Sequence, residues 1–182
     1  MIDLPLTAWF HANQHPLATQ LMLGISLWHN TIGLLLMTAV LGIALYRAGK
    51  SWWLLSLLLT VPGGMLVNVA VKHIVQRPRP QFDNPIVTLS TYSFPSGHTA
   101  GATVFYGFLA VYLLAHGRAQ PWRWAIIGAA AAMVLLVGLS RIYLGAHYLS
   151  DVVGAVVEGM LWLALCQAGV QALQRRRNGG AA

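Results

Sequence analysis

Five apolar runs, at 31–46, 52–75, 98–115, 122–139 and 148–173, occupy most of this chain. Each is about long enough to cross a hydrocarbon core, which takes roughly 20 helical residues, the first being nearest the lower limit. Backbone N–H and C=O groups at that depth find no water, so each run must satisfy its own and is predicted to be an α-helix. Charge usage agrees: Asp, Glu, Lys and Arg make up 8% of the sequence and hydrophobic residues 57%, against roughly 25% charged residues in a soluble domain. The predicted fold is therefore an all-α polytopic membrane bundle, one integral-membrane domain over 1–182.

Residues 1–29 are too short of apolar positions for a further span. Trp9, Trp28, His11, Asn13, Gln14 and His15 suit the headgroup level, so the segment is read as an interfacial or half-inserted helix. It lacks the basic n-region of a signal peptide and is expected to be retained. Pro62-Gly63-Gly64 is expected to kink the second span, with neighbouring helices covering the freed carbonyls. The Pro-rich segment 76–96 reads as a loop. The formal charge is +7, but the basic residues stand at the ends of apolar runs and form no stripe along a phosphate backbone. Nucleic acid is not an expected partner. The single cysteine, Cys166, excludes an intramolecular disulfide and a Cys-based metal cluster.

If the five helices cross in turn, Lys72, Arg77, Arg79, Ser96, His98, Arg141, His147 and Asp151 share one membrane face. Arg47, Lys50, Arg118, Arg123 and Arg175 to Arg177 share the other. The positive-inside rule makes the second, more basic face cytoplasmic, with 174–182 as a cytoplasmic tail, frayed after Arg177.

Three clusters meet on the first face. Lys72 and Arg79 flank a stiff turn and offer fixed charge, which suits either phosphate oxygens or a lipid headgroup. Ser96 and Gly97 precede the third span, where free N–H groups and the helix dipole favour an anion; an ordinary N-cap with an interfacial His98 is the plainer reading. His147 and Asp151, four apart, are expected on one face of the last helix's first turn, where the carboxylate fixes the tautomer of an imidazole able to act as nucleophile or base, or where the pair is merely structural. Convergence favours a phosphate-like anion. His98, His147 and Asp151 beside so many cations make a poor metal site. Glu158, two turns deeper than Asp151, is either a packing residue or a functional carboxyl. His73 and Arg77 are secondary candidates for headgroup contact, interfacial solvation being the simpler account.

These residues complete a three-part pattern, Lys-x6-Arg-Pro over 72–80, Pro-Ser-Gly-His over 95–98 and Ser-Arg-x5-His-x3-Asp over 140–151. The pattern resembles the signature of the type 2 phosphatidic acid phosphatase superfamily, over roughly residues 68 to 155. Many members carry Gly where this chain has Gln76 and Pro where it has Leu149, and many have six spans. The resemblance implies a phosphohistidine on His147, oriented by Asp151, with His98 protonating the leaving oxygen. It gives Lys72, Arg79, Arg141, Ser96 and the Gly97 amide to the phosphoryl oxygens, and it requires no metal or other cofactor. It further implies a multi-pass protein of a bacterial cytoplasmic membrane with the site facing the periplasm or cell exterior. The substrate is a phospholipid or polyprenyl diphosphate; undecaprenyl diphosphate is expected first, with phosphatidylglycerophosphate, phosphatidate, lipid A or lipid-to-lipid phosphotransfer as alternatives. Trp9, Trp28 and the 81–94 loop are expected to shape lipid entry.

Overall fold

The computed structural model describes residues 2–115 and 121–179, so Arg118 lies outside the described residues. Seven helices form: α1 (Asp3–Ala12), α2 (Pro16–Trp28), α3 (Thr31–Arg47), α4 (Ser51–Val75), α5 (Gly97–Leu114), α6 (Arg123–Tyr143) and α7 (Leu149–Gly179). No strand occurs among the described residues. Helices α4, α5, α6 and α7 are each long and apolar enough to cross a membrane. A fifth span exists if α2 and α3, which meet at a 54° bend, are counted as one broken crossing.

Helix α5 is the axis of the bundle and packs on α3, α4, α6 and α7. Its residues 99 to 105 are buried without interruption, and most are Gly, Ala or Thr, because a helix enclosed on all sides must let its neighbours approach closely. The core joins Leu34 and Leu45 of α3, Leu57 and Val61 of α4, Val104, Phe105 and Phe108 of α5, and Leu163 of α7. Outward leucines such as Leu58, Leu66, Leu135 and Leu161 stay exposed, which in lipid has no hydrophobic cost.

The structure refines four expectations. Segment 1–29 holds two helices, not one: α1 packs on α6 and α7, and α2 packs on α6. Helix α4 runs through Pro62 unbroken, and a neighbour does reach the backbone there, Trp162 Nε1 of α7 donating to Leu59 O at 3.1 Å. Helix α6 continues four residues past its expected end, so Ser140 and Arg141 lie on its last turn. Helix α7 stays helical to Gly179, past Arg177.

Candidate active site

The ends of α4, α5 and α7 that carry site residues are tied together through backbone carbonyls. Ser96 N donates to Asp151 O at 3.1 Å, and Lys72 Nζ donates to Pro95 O at 2.5 Å, Tyr92 O at 2.9 Å and Ser93 O at 3.4 Å. Lys72 thus spends its three protons on the loop before α5 and fixes that loop to α4. The charge stays at the edge of a cavity of about 500 Å³ whose polar end is formed by Asn68, Lys72, Arg79, Gly97, His98 and His147.

His147 does not sit on a helical turn as expected. Helix α6 ends at Tyr143, Gly145 turns the chain at φ +69°, and His147 lies two residues before α7. Glycine suits that conformation because a Cβ there would be strained and would stand 3.1 Å from the Phe82 ring. The i,i+4 partnership survives: His147 Nδ1 is 3.4 Å from Asp151 Oδ2, off the line of a good hydrogen bond, since Nδ1 has no partner of strict geometry. On the other side of the ring, Arg79 Nη1 is 3.1 Å from Nε2. A guanidinium only donates, so Nε2 is the unprotonated nitrogen and Nδ1 carries the proton toward Asp151. Burial pushes the His147 pKa down to about 3, and the charges of Arg79, Arg141 and Lys72 add to this against the pull of Asp151. The imidazole is neutral, with a lone pair on Nε2.

Arg79 is pinned by Thr91 O at 2.6 Å, Thr91 Oγ1 at 2.9 Å, Tyr92 O at 3.1 Å and Ala146 O at 2.8 Å. Burial lowers its pKa from the ordinary arginine value. Asp151 is fully buried. Its Oδ2 accepts from Ser93 Oγ at 2.5 Å and Tyr148 N at 2.9 Å, and its Oδ1 from Arg77 Nη1 at 2.7 Å.

The remaining expected residues divide. Gly97 lines the cavity, and a Cβ on it would stand 3.3 Å from Asn68 Oδ1. His98 lines the cavity with no hydrogen-bond partner among the described residues. Ser96 is buried behind them, accepting from Thr99 Oγ1 at 3.0 Å. Arg141 is buried too, bonded to Ser26 Oγ through Nη1, with Nε unpartnered. Two secondary candidates are not in the cavity wall: His73 is exposed, edge-on to Tyr92, and Arg77 faces Asp151, Asp3 and the Tyr148 ring. Glu158 Oε2 accepts from Asn68 Nδ2 at 2.8 Å, while its Oε1 is buried without a partner. Trp9 and Trp28 are exposed and outside the cavity lining, whereas Leu89 and Thr91 of the loop belong to it.

Sequence reasoning passed over Asn68, Ser93, Ser150 and Asp3. Asn68 had a visible signal, an amide one turn before Lys72 inside an apolar helix. Asp3 had none, since its partner Ser150 is 147 residues away. Among the described residues no three His, Cys, Asp or Glu side chains are grouped to hold a metal ion.

Comparison with known proteins bears on this arrangement. The sequence model of the PAP2 superfamily matches residues 52–175. Phosphatidylglycerophosphatase B of Bacillus subtilis is 32% identical over 168 residues, 90% of this chain and 81% of that protein. Undecaprenyl-diphosphatase BcrC of the same organism is 32% identical over 102 residues, 54% of this chain and 48% of that protein. The crystal structure of a transmembrane PAP2 type phosphatidylglycerolphosphate phosphatase from Bacillus subtilis superposes with a TM-score of 0.83 at 29% identity, over 92% of this chain and 84% of the other. LpxE of Aquifex aeolicus shares the fold, with a TM-score of 0.74 at 23% identity over 92% of this chain and 96% of that one.

Proposed function

Because the chain belongs to the PAP2 superfamily, we propose that it removes the terminal phosphate of phosphatidylglycerophosphate through a phosphohistidine on His147. The protein is a multi-pass membrane lipid phosphatase; the substrate, the intermediate and the residue roles are the proposal. The carrying observation is the Arg79 donation to His147 Nε2, which puts a guanidinium and the lone pair of a neutral, Asp151-backed imidazole at one point of the cavity.

A phosphoryl group reaching that point meets Arg79 as it meets the nucleophile. The Nε2–P bond forms and the P–O bond to the lipid breaks, with His98 placed to pass a proton to the leaving oxygen. The ring, now bonded at Nε2 and protonated at Nδ1, is cationic and faces Asp151. Water then attacks phosphorus, His98 takes back its proton, and inorganic phosphate leaves as the lone pair returns to Nε2. Arg79, Lys72 and the Gly97 amide at the start of α5 supply the fixed positive field such a reaction needs, and Ser96 and Arg141 support them from behind. No step uses a metal.

Beyond its polar end the cavity is walled by Leu34 and Leu35 of α3 and Pro62, Met65, Leu66 and Val69 of α4. Such a wall suits the acyl chains of a membrane lipid. Phosphatidylglycerophosphate is favoured because the likeness to phosphatidylglycerophosphatase B spans 90% of the chain. Undecaprenyl diphosphate is the second reading, supported by the BcrC match over 54% of the chain. The basic residues opposite the site, Arg47, Lys50, Arg123 and Arg175 to Arg177, support a cytoplasmic C-terminus and a site open to the periplasm or cell exterior.

The test is phosphate release by the purified protein from phosphatidylglycerophosphate, undecaprenyl diphosphate, phosphatidate and lipid A, with chelator and with or without an acceptor lipid. Turnover of phosphatidylglycerophosphate is expected to be fastest, unaffected by chelator and lost in His147→Ala. Retained turnover in that variant sinks the nucleophile assignment, chelator inhibition sinks the metal-free scheme, and transfer to the acceptor makes the enzyme a phosphotransferase.

A further inference from the structure

Asp3, near the start of α1, makes three hydrogen bonds that all lead to the catalytic centre. Its Oδ1 accepts from Ser150 N at 2.9 Å and its Oδ2 from Ser150 Oγ at 2.6 Å. The same Oδ2 accepts from Arg77 Nη2 at 3.0 Å. Arg77 Nη1 continues the chain to Ser150 Oγ at 2.6 Å and to Asp151 Oδ1 at 2.7 Å. One guanidinium therefore bridges two carboxylates, one of them the group that faces His147 Nδ1.

Two bland roles compete for Asp3. A carboxylate against Ser150 N is a cap for the first turn of α7, and it also fastens α1 to the bundle. Neither role explains why Arg77, on a separate loop, is gripped at both ends. An arginine bound to Asp151 alone would cancel the charge that must stabilise a cationic phosphoimidazole. With Asp3 on its second nitrogen, the group of Asp3, Arg77 and Asp151 keeps one net negative charge beside the ring. Bonds from Ser150 and Arg77 hold the Asp3 carboxyl below its ordinary pKa although burial opposes them, and Asp3 and Asp151 raise that of Arg77 against burial in turn.

We infer that Asp3 is a positioning residue for the His147 centre, a second carboxylate that shares Arg77 and so leaves the negative charge of Asp151 available to the phosphorylated ring. The inference rests on the phosphohistidine reading. It assigns the N-terminal helix a part in chemistry, delivered through residue 77 to residue 151.

A double-mutant cycle on the full-length purified protein tests it, with kcat and KM measured on phosphatidylglycerophosphate and melting followed in detergent. Asp3→Asn keeps the shape and an acceptor for Ser150 but loses the charge. It is expected to lower kcat about tenfold with KM within about twofold, the scale of one charge-assisted hydrogen bond. In an Arg77→Gln background the same change is expected to cost less than about twofold, since nothing remains for Asp3 to balance. Asp3→Glu is expected to recover most of kcat. Wild-type kcat in Asp3→Asn, or an equal loss with and without Arg77, overturns the inference and leaves Asp3 as a cap. The phosphohistidine reading is judged separately, by acid-labile phosphate trapped on the wild-type protein and its absence in His147→Ala.

Discussion

The two ends of the bundle hold similar materials and use them differently. Each has a cavity, of about 500 Å³ at one end and about 490 Å³ at the other, lined by residues of three helices and beside basic residues. At the His147 end, Lys72 and Arg141 are buried and Arg79 is half-buried, each bonded to a partner distant in sequence. At the other end, Arg47, Lys50, Arg123 and Arg175 to Arg177 are all exposed, and the cavity is lined by Lys50, Ser51, Trp52, Gln171 and Gln174. Number of charges does not separate a binding site from a topogenic face; immobilisation does. A guanidinium held by four oxygen acceptors besides the imidazole presents its field without reorganising, whereas an exposed one is screened and mobile.

The widest gap between the ends is expected in catalysis. Arg79→Gln should reduce kcat/KM on phosphatidylglycerophosphate by about 10²–10³-fold, the scale of one preorganised donor at a developing charge. Lys50→Gln should change it less than about twofold, as for an exposed charge far from the chemistry. Both are read from initial rates on purified protein. A large loss in Lys50→Gln would show that the second cavity communicates with the first and would dissolve the contrast.

The same contrast explains what could be read from the sequence. Helices α4 to α7 are written as apolar runs, and the alternation of spans alone brings Lys72, Arg79, His98 and His147 to one end. Their spacing within 72–80, 95–98 and 140–151 is local, so it survives without knowledge of the fold. What was missed is non-local. Asp3 meets Ser150 across 147 residues, and Arg141 meets Ser26 across 115, contacts no period or motif encodes. Arg77 was open to interfacial solvation because its direction depends on the turn at Gln76. The placement of His147 failed for a backbone reason: Gly145 at positive φ turns the chain between α6 and α7, and α7 starts only at Leu149, a turn that an i,i+4 count does not see.

Acid should expose the difference next. The His147 ring ordinarily titrates near 6.5, while burial holds it near 3 in the fold. Below pH 6.5 the unfolded chain takes up a proton that the folded site refuses, so stability falls as pH drops toward 3, by up to about 1.4 kcal/mol per pH unit. Asp3, held below its ordinary 3.8, adds to the loss as pH falls through that value. Denaturation midpoints in detergent between pH 7 and pH 4.5 should therefore decline less steeply in His147→Asn than in the wild type. Arg175→Gln, at the other end, should leave the slope unchanged. Parallel curves for wild type and His147→Asn would mean the imidazole is not held neutral by burial.

The smallest expected effect compares two turns that flank the site, both in the left-handed region. Gly145 occupies φ +69° at no steric cost, but Gln76, which ends α4, sits at φ 50° and ψ 35° with a Cβ. Left-handed geometry costs a non-glycine residue about 1 kcal/mol or more. The Gln76 side chain returns part of this through Nε2 donating to His73 O at 3.0 Å, an exposed bond of little net worth. Gln76→Gly should therefore stabilise the protein by about 0.5 kcal/mol, the gain being trimmed by the greater freedom of glycine in the unfolded chain. Gly145→Gln should do the reverse by about 1–2 kcal/mol, because the new Cβ is both strained and pressed on Phe82. Paired melting curves decide it. A destabilised Gln76→Gly would mean that the amide bond to His73 outweighs the backbone strain, and that the turn aiming Arg77 at Asp151 is held by a side chain and not by its dihedral angles.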